Sequence, residues 1–285
     1  MTTPAPGTGP RADGGPADEL LRESPEQRYV GTRDLTHWPS RLGQFLVTSA
    51  RRLHRQLSPA QVLAVTLVVG LLVVAAATAL AGSVYDAVVE QDGIAGLDRP
   101  ALDGAMSVRT PFGNGLVEAW TTVGGPVGMP ILATVVAVTL AALWRQWTPI
   151  VLVAATAAGS LLLTVAGKDL VGRARPPLVD AVPPYELSAS FPSGHSLNAA
   201  AIGGIVAYLV LRRQRSARAR TLTVAAAVTF AVTMGLSRVY LGHHWLTDVL
   251  VAWALGLAWL TVVVTAHRLL LTLRRGAGED RVTTG

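Results

Sequence analysis

The chain has 285 residues, of which 51% are hydrophobic and 15% charged, and its formal net charge is +6. Soluble domains carry about 25% charged residues, so this depletion indicates long apolar runs rather than an ordinary soluble core. All 24 basic residues except Lys168 are arginines, and they lie at the ends of the apolar runs, which argues against a nucleic-acid-binding surface. The absence of cysteine excludes disulfides, thiolate chemistry and cysteine-based metal sites.

Residues 1–58 form a polar lead that is predicted to be a disordered or interfacial N-terminal extension. Its first sixteen residues, Met1 to Pro16, have almost no apolar side chains and are predicted to be disordered. Around residues 40–56, leucine and phenylalanine alternate with arginine. That pattern fits a short helix at a membrane interface, and it fits a solvated tail equally well.

Six charge-poor apolar runs follow, and a helix needs about 20 such residues to cross a bilayer. The runs cover residues 61–82, 126–144, 148–167, 196–211, 221–236 and 249–265. The first run is too long for a cleaved signal, whose apolar part has about 7–15 residues, so it is predicted to be an uncleaved anchor. The predicted fold is therefore an all-α integral membrane bundle of six transmembrane helices over residues 59–268, with a C-terminal tail over 269–285.

Short amphipathic segments are predicted between the first two runs, around residues 97–106 and 116–123, packed on the bundle or lying at the interface. The placement of basic residues predicts the orientation, because short cytoplasmic loops are enriched in Lys and Arg. The termini, the turn at Arg145 and the 212–220 turn together hold 18 of the 24 basic residues. We therefore expect a multi-pass plasma-membrane protein with both termini cytoplasmic and the 169–195 and 237–248 loops outside.

Polar side chains on that outer face are predicted to form an anion pocket. Lys168, Arg175 and Arg238 are three fixed cations at helix ends, and together they would neutralise a phosphate or a similar oxyanion. Ser193 and Gly194 start a predicted helix, where free backbone N–H groups favour an anion and glycine permits close approach. Because no cluster of carboxylates accompanies these cations, no metal ion and no other cofactor is predicted.

Two histidines and an aspartate could supply covalent chemistry in this pocket. His244 and Asp248 are four residues apart and share a face on a helical turn. A carboxylate on one imidazole nitrogen leaves the other nitrogen free to attack phosphorus. His195, from another helix, could protonate the leaving alkoxide and later activate water. The neighbouring His243 is off the shared face and is interpreted as a rim residue.

Three motifs in order resemble the signature of a known family. They are Lys168 with Arg175-Pro176 after six intervening residues, then Pro192-Ser193-Gly194-His195, and then Ser237-Arg238 with His244 after five residues and Asp248 after three more. In these the chain resembles the type-2 phosphatidic acid phosphatase family, which includes vanadium-dependent haloperoxidases and glucose-6-phosphatase. The resemblance spans about residues 60–268. It implies a helical bundle with metal-independent phosphomonoesterase or diphosphatase activity and a site on the exterior face.

The resemblance also implies roles for individual residues. It makes His244 the nucleophile, Asp248 its partner and His195 the acid and base. It assigns phosphate binding to a set of five residues: Lys168, Arg175, Ser193, Gly194 and Arg238. It assigns no role to Arg173, which could contact a second phosphate or be a solvated loop residue.

The expected substrate is a lipid phosphate, because a site at the edge of a bilayer admits a headgroup while the tail stays in hydrocarbon. Phosphatidic acid, phosphatidylglycerol phosphate and polyprenyl diphosphate all fit. Alternatives are a phosphotransferase that uses the same phosphohistidine, a haloperoxidase, and a non-catalytic lipid-binding or transport protein. The haloperoxidases are soluble, and a non-catalytic protein would have no need for His195, His244 and Asp248 together. The expected partners are the lipid substrate and the bilayer, and no nucleic acid.

Overall fold

The structure is a computed structural model that describes residues 28–88 and 94–283. A two-stranded antiparallel hairpin, β1 (Tyr29–Val30) and β2 (Arg33–Asp34), comes first. The α-helices are α1 (Arg41–His54), α2 (Pro59–Val88), α3 (Asp98–Ser107), α4 (Pro111–Val123), α5 (Gly128–Trp144), α6 (Thr148–Val171), α7 (Gly194–Leu211), α8 (Ala217–Tyr240) and α9 (Leu246–Thr283). Short 3₁₀ turns cover Ile94–Leu97 and Leu178–Asp180.

Five helices in the described part of the chain are long and apolar enough to cross a membrane: α2, α6, α7, α8 and α9. The predicted second span differs from expectation, because α5 has only 17 residues. Helix α5 is long enough to cross a membrane only together with α4, and the two helices bend by 51° at their junction. The junction holds Gly124, Gly125 and Pro126, and proline cannot continue the hydrogen-bond ladder of a helix. The all-α membrane bundle is confirmed, with six spans when the bent pair counts as one.

Helix α7 lies in the middle of the bundle and contacts α6, α8 and α9. Its residues Leu197, Ala201 and Ile205 are fully buried. The outer helices α2 and α8 instead leave large apolar side chains exposed, such as Leu72 at 63% and Leu222 at 64%. A soluble protein would not expose contiguous apolar faces of this size, whereas a bilayer covers them with lipid.

The segment before the first span packs against the far end of α9 and is not a solvated tail. Helix α1 buries Val47 and Ala50 in a cluster with Leu269 and Leu273. The Trp38 indole donates to Thr272 at 3.0 Å. Residues 41–54 are therefore helical and packed on the bundle, and their position at a membrane interface stays a prediction.

Helix α9 continues well past residue 265, where the sixth apolar run ends, because α1 covers its later turns. The residues assigned to a C-terminal tail are helical as far as Thr283. His267, in this later part of α9, is only 1% exposed, and its Nδ1 lies 2.9 Å from the Tyr208 hydroxyl. The predicted disorder of Met1 to Pro16 concerns residues outside the described part of the chain.

The opposite end of the bundle is covered by α3 and α4, which form where short amphipathic segments were predicted. Arg109, between these two helices, donates to the carbonyls of Tyr240 and Asp180, each at 2.6 Å. It thereby ties the end of α8 to the 172–193 loop. The end of α8 and the start of α9 lie beneath this cover, and the end of α6 and the start of α7 lie at the same end of the bundle.

Candidate active site

The loop that carries the two adjacent histidines depends on a glycine. Gly242 has φ +73°, a left-handed conformation that glycine adopts without strain. A Cβ at this position would lie 2.5 Å from the carbonyl oxygen of Asp180. The turn brings the backbone N–H groups of His243 and His244 onto the carbonyl of Arg238, at 3.0 and 3.3 Å. The end of α8 therefore fixes the backbone position of both histidines.

His244 and Asp248 are neighbours, but a serine lies between them. The distance from His244 Nδ1 to Asp248 Oδ2 is 3.6 Å, which is too long for a hydrogen bond. Ser190 Oγ lies 3.4 Å from that Nδ1 and donates to the same carboxylate oxygen at 2.5 Å. Helix α9 begins at Leu246, so His244 precedes the helix. Asp248, in the first turn, caps the helix by accepting from the N–H of Trp245 at 3.0 Å.

The other ring nitrogen of His244 faces an arginine, and this contact determines the tautomer. Arg175 Nη1 lies 3.2 Å from His244 Nε2. A guanidinium can only donate, so Nε2 presents its lone pair and Nδ1 carries the proton toward Ser190 and Asp248. Burial lowers the pKa of His244 to about 4, although Asp248 works in the opposite direction. The imidazole is therefore neutral at pH 7.

The two predicted arginines meet on one carboxylate. Glu186 contacts Arg175 Nη2 at 2.8 Å through Oε2 and Arg238 Nη2 through Oε1. Burial alone would raise the pKa of Glu186, but Arg238 and Arg175 outweigh it and lower the pKa to about 2. Arg238 is 1% exposed and also donates to Thr121 of α4 at 3.0 Å. The two guanidiniums thus form one anion-binding pair, and a side chain of the protein fills it.

The remaining predicted phosphate ligands lie at the helix ends beside this pair. Lys168 donates to the Ser188 hydroxyl at 3.2 Å and to the carbonyl of Ala189. Ser193 caps α7, and its hydroxyl oxygen is engaged by Ser196. Its side chain is therefore turned into the helix end, while the backbone at Gly194 faces the open space.

That open space is a cavity of about 690 Å³ between α5, α6 and α7. Four of the eight predicted site residues line it: Lys168, Gly194, His195 and His244. Glu186 and Asn198 line the same end of the cavity. The cavity continues along α6 as far as Ile150, between mostly apolar side chains. Arg175, Arg238, Ser193 and Asp248 are not among the lining residues and lie behind them.

Comparisons with known proteins give a consistent picture. A family model described as PAP2 superfamily matches residues 147–270. Phosphatidylglycerophosphatase B of Bacillus subtilis (strain 168) is 29% identical over 172 residues, covering 60% of this chain and 83% of that protein. The crystal structure of the first transmembrane PAP2 type phosphatidylglycerolphosphate phosphatase from Bacillus subtilis is 28% identical, with a TM-score of 0.56, over 70% of this chain and 92% of that one.

Residues 147–270, called the PAP2 domain below, match the PAP2 superfamily. The family resemblance expected from the three motifs is thereby confirmed, and the domain contains all eight predicted site residues. Helices α6 to α9 supply its membrane-spanning part. At the general level the protein is a multi-pass membrane phosphatase.

The PAP2 domain also contains an arginine whose position the sequence did not indicate. Arg173 donates to Asp248 Oδ1 at 2.6 Å and to the Thr247 hydroxyl at 2.8 Å. Its Nη2 pairs with Asp98 at 2.7 Å, and Asp98 is only 5% exposed. Arg173 is thus not a solvated residue, because two carboxylates engage its guanidinium. It joins Asp248 to a carboxylate at the start of α3, outside the PAP2 domain.

His243 was expected at the rim of the pocket, and this interpretation is wrong. The residue is 4% exposed, and its Nε2 lies 2.7 Å from the carbonyl oxygen of Val182. Burial lowers its pKa. The Val182 N–H in turn donates to the carbonyl of Leu241 at 2.8 Å. His243 therefore joins the 237–248 loop to the 172–193 loop, and its turn position beside Gly242 explains why it faces away from the cavity.

Proposed function

We propose that this protein hydrolyses the phosphate of a membrane lipid through a phosphohistidine on His244, without a metal ion. The observation that carries the proposal is the cavity in which Lys168, His195 and His244 lie at one end of a long apolar groove. A headgroup phosphate bound at that end leaves its hydrocarbon tail in the groove. Sites for small ligands combine mostly apolar walls with a few converging polar groups.

The dimensions of the groove suit a lipid tail. From Lys168 to Ile150 along α6, at about 1.5 Å per residue, the wall is about 27 Å long. The hydrocarbon core of a bilayer is about 30 Å thick. A tail of ordinary length therefore has space beside α6 without leaving the hydrocarbon layer.

The tautomer of His244 supports its role as the nucleophile. Its Nε2 lone pair attacks the phosphorus atom, and the bond from phosphorus to the lipid oxygen breaks. His195 donates a proton to that leaving oxygen and then takes one from a water molecule. The water attacks the phosphohistidine, and inorganic phosphate and free imidazole result. Lys168 and the arginines stabilise the charge that develops on the phosphoryl oxygens.

Among lipid phosphates, we propose an acylated glycerol phosphate as substrate, with phosphatidylglycerol phosphate first. The Bacillus relatives carry that activity in their names. Polyprenyl diphosphate is the competitor to be assayed beside it. We further propose that the site faces the exterior, because the arginine-rich turn at 212–220 lies at the opposite end of the helices.

Phosphate release by the detergent-purified protein in EDTA tests the proposal. The substrates are phosphatidylglycerol phosphate, phosphatidic acid and polyprenyl diphosphate. We expect activity with EDTA present and a loss of at least about a thousandfold in His244→Ala, because removal of a nucleophile eliminates the covalent route. Release of the phosphate into water, with no transfer to an added alcohol, would distinguish the hydrolase from a phosphotransferase.

The matched control is His243→Gln, since a glutamine amide can donate to the carbonyl of Val182 in place of the imidazole. This variant should keep most of the activity. Activity that requires magnesium, or that survives in His244→Ala, would contradict the mechanism.

A further inference from the structure

Glu186 makes a contact that is unusual for an acidic residue in a phosphate site. Its two carboxylate oxygens pair with different arginines: Oε2 with Arg175 of the loop at 2.8 Å, and Oε1 with Arg238 of α8. Paired guanidiniums around two oxygens of one anion are an arrangement suited to a phosphate group. In this structure the anion between them is a side chain of the protein.

The carboxylate lies between the arginines and the cavity. Glu186 lines the cavity together with His195 and His244, whereas Arg175 and Arg238 do not line it. The side chain of Glu186 is 33% exposed, while those of Arg175 and Arg238 are 9% and 2% exposed. A phosphate that enters from the cavity therefore meets Glu186 before it reaches either guanidinium.

Two anions cannot share this position. A phosphate that contacts both arginines would place its oxygens against the carboxylate, and like charges at contact distance repel strongly in a site with little water. Protonation does not relieve the repulsion at neutral pH, because the arginines lower the pKa of Glu186 to about 2. The carboxylate has to leave before the phosphate can take both arginines.

Glu186 lies in a short segment that is anchored on both sides. On one side, Val182 is tied to Leu241 and to His243. On the other side, the carbonyl of Ser188 accepts from Arg175 Nε at 2.6 Å. Between these anchors, the neighbours of Glu186 project into the surroundings: Tyr185 is 51% exposed and Leu187 is 88% exposed. A swing of residues 183–187 alone would break the two ion pairs and leave the anchors at both ends in place.

We propose that Glu186 is an internal competitor for the phosphate site, occupying the arginine pair in the resting protein and yielding it to the substrate. The proposal rests on the proposed function, since it names what fills the same site between turnovers. Every phosphate ligand then binds more weakly than it would to the free arginines. Its apparent dissociation constant is the intrinsic one divided by the fraction of molecules in which the carboxylate has left. Its return to the arginines displaces the inorganic phosphate product.

The test compares Glu186→Gln with the unchanged protein by two measurements. Glutamine keeps the size of the side chain and removes its charge. The inhibition constants of inorganic phosphate and of orthovanadate should fall about tenfold, and KM should fall as well. If release of phosphate limits turnover, kcat falls as well. Thermal stabilisation by orthovanadate measures the same affinity without turnover, and it should show the same shift.

Asp180→Asn is the matched control, because Asp180 belongs to the same loop but pairs with Arg99 and does not line the cavity. It should leave both inhibition constants unchanged. Glu186→Ala is the second variant and should shift them in the same direction as Glu186→Gln. If the constants rise or stay unchanged in the Glu186 variants, the carboxylate holds the arginines in position and the proposal is wrong.

The two measurements separate this proposal from the proposed function. Tighter orthovanadate binding in Glu186→Gln, in a protein that hydrolyses no lipid phosphate, would support the competition and contradict the phosphatase activity. Hydrolysis by the unchanged protein, with equal orthovanadate affinity in both forms, would support the activity and contradict the competition.

Discussion

At the scale of single residues, the imidazole of His244 is held on both sides by neighbouring side chains. Ser190 and Asp248 take the Nδ1 side, and Arg175 takes the Nε2 side. Asp248 is itself held by Arg173, which a second carboxylate, Asp98, balances. A buried charge is tolerated only when it is paired, so the orientation of the imidazole depends on a chain of charges that begins in α3.

The end of that chain can be tested with Asp98→Asn. The substitution removes the negative charge opposite Arg173. It also replaces Oδ2, which accepts from Arg173 Nη2 and from the Thr247 hydroxyl, each at 2.7 Å, by an amide group that can only donate, while Oδ1 can still accept from the Thr247 N–H. We expect kcat to fall by about tenfold while KM changes little, because the imidazole is misplaced and the phosphate ligands are not. The thermal midpoint should fall by several degrees, since breaking a buried pair from one side is costly. Steady-state kinetics and thermal unfolding measure both effects.

Asp103→Asn is the control from the same helix. Asp103 pairs with Arg99 on the surface, where its side chain is 52% exposed, and such pairs contribute little to stability. An unchanged kcat in Asp98→Asn would mean that Asp248 alone holds Arg173 well enough.

At the scale of elements, the close contact between α6 and α9 depends on a glycine. Gly159 of α6 faces Trp259 of α9, and a Cβ there would lie 2.2 Å from the indole ring. The ring cannot turn away easily, because its Nε1 donates to the carbonyl of Thr156 at 3.0 Å. The distance between α6 and α9 is therefore set by this contact.

Gly159→Ala should destabilise the bundle, because an added methyl group overpacks a filled contact at a cost of about 1–3 kcal/mol. We expect a lower thermal midpoint in detergent, followed by tryptophan fluorescence. Gly104→Ala in α3 is the control, since a Cβ there meets nothing within 4 Å, and alanine favours a helix by up to about 1 kcal/mol. Equal midpoints for the two variants would show that α6 and α9 move apart without penalty.

At the scale of the whole molecule, the site and the arginine-rich turn lie at opposite ends of the bundle. Lys168 ends α6 and Arg238 ends α8 at the end that holds the site, whereas Arg218 starts α8 at the other end. If basic turns stay in the cytoplasm, the site faces outward.

Single cysteines can test this orientation, because the chain has none of its own. Val179 is 90% exposed in the loop beside the site, and Arg218 is exposed at the opposite end. In intact cells, a membrane-impermeant maleimide should label Val179→Cys and leave Arg218→Cys unlabelled until the membrane is opened. The unchanged chain is the blank, and the reverse labelling pattern would place the site in the cytoplasm.

The sequence by itself determined the all-α membrane class, the family and the convergence of four helix ends. These follow from patterns that are local in the chain: apolar runs long enough to span a bilayer, and charged residues confined to their ends. The spacing to Asp248 also distinguished His244, which lines the cavity, from His243, which contacts the carbonyl of Val182. The break between α4 and α5 was missed, although Gly124, Gly125 and Pro126 marked it.

Only the tertiary structure decided how these side chains are paired. Asp98 comes to Arg173, Glu186 to Arg175 and Arg238, and Ser190 to His244 across loops and helices that are distant in sequence. No periodicity specifies such contacts, because a charged side chain selects its partner by distance and burial in the folded bundle. Which anion occupies the arginine pair is therefore a property of the fold and not of the motifs.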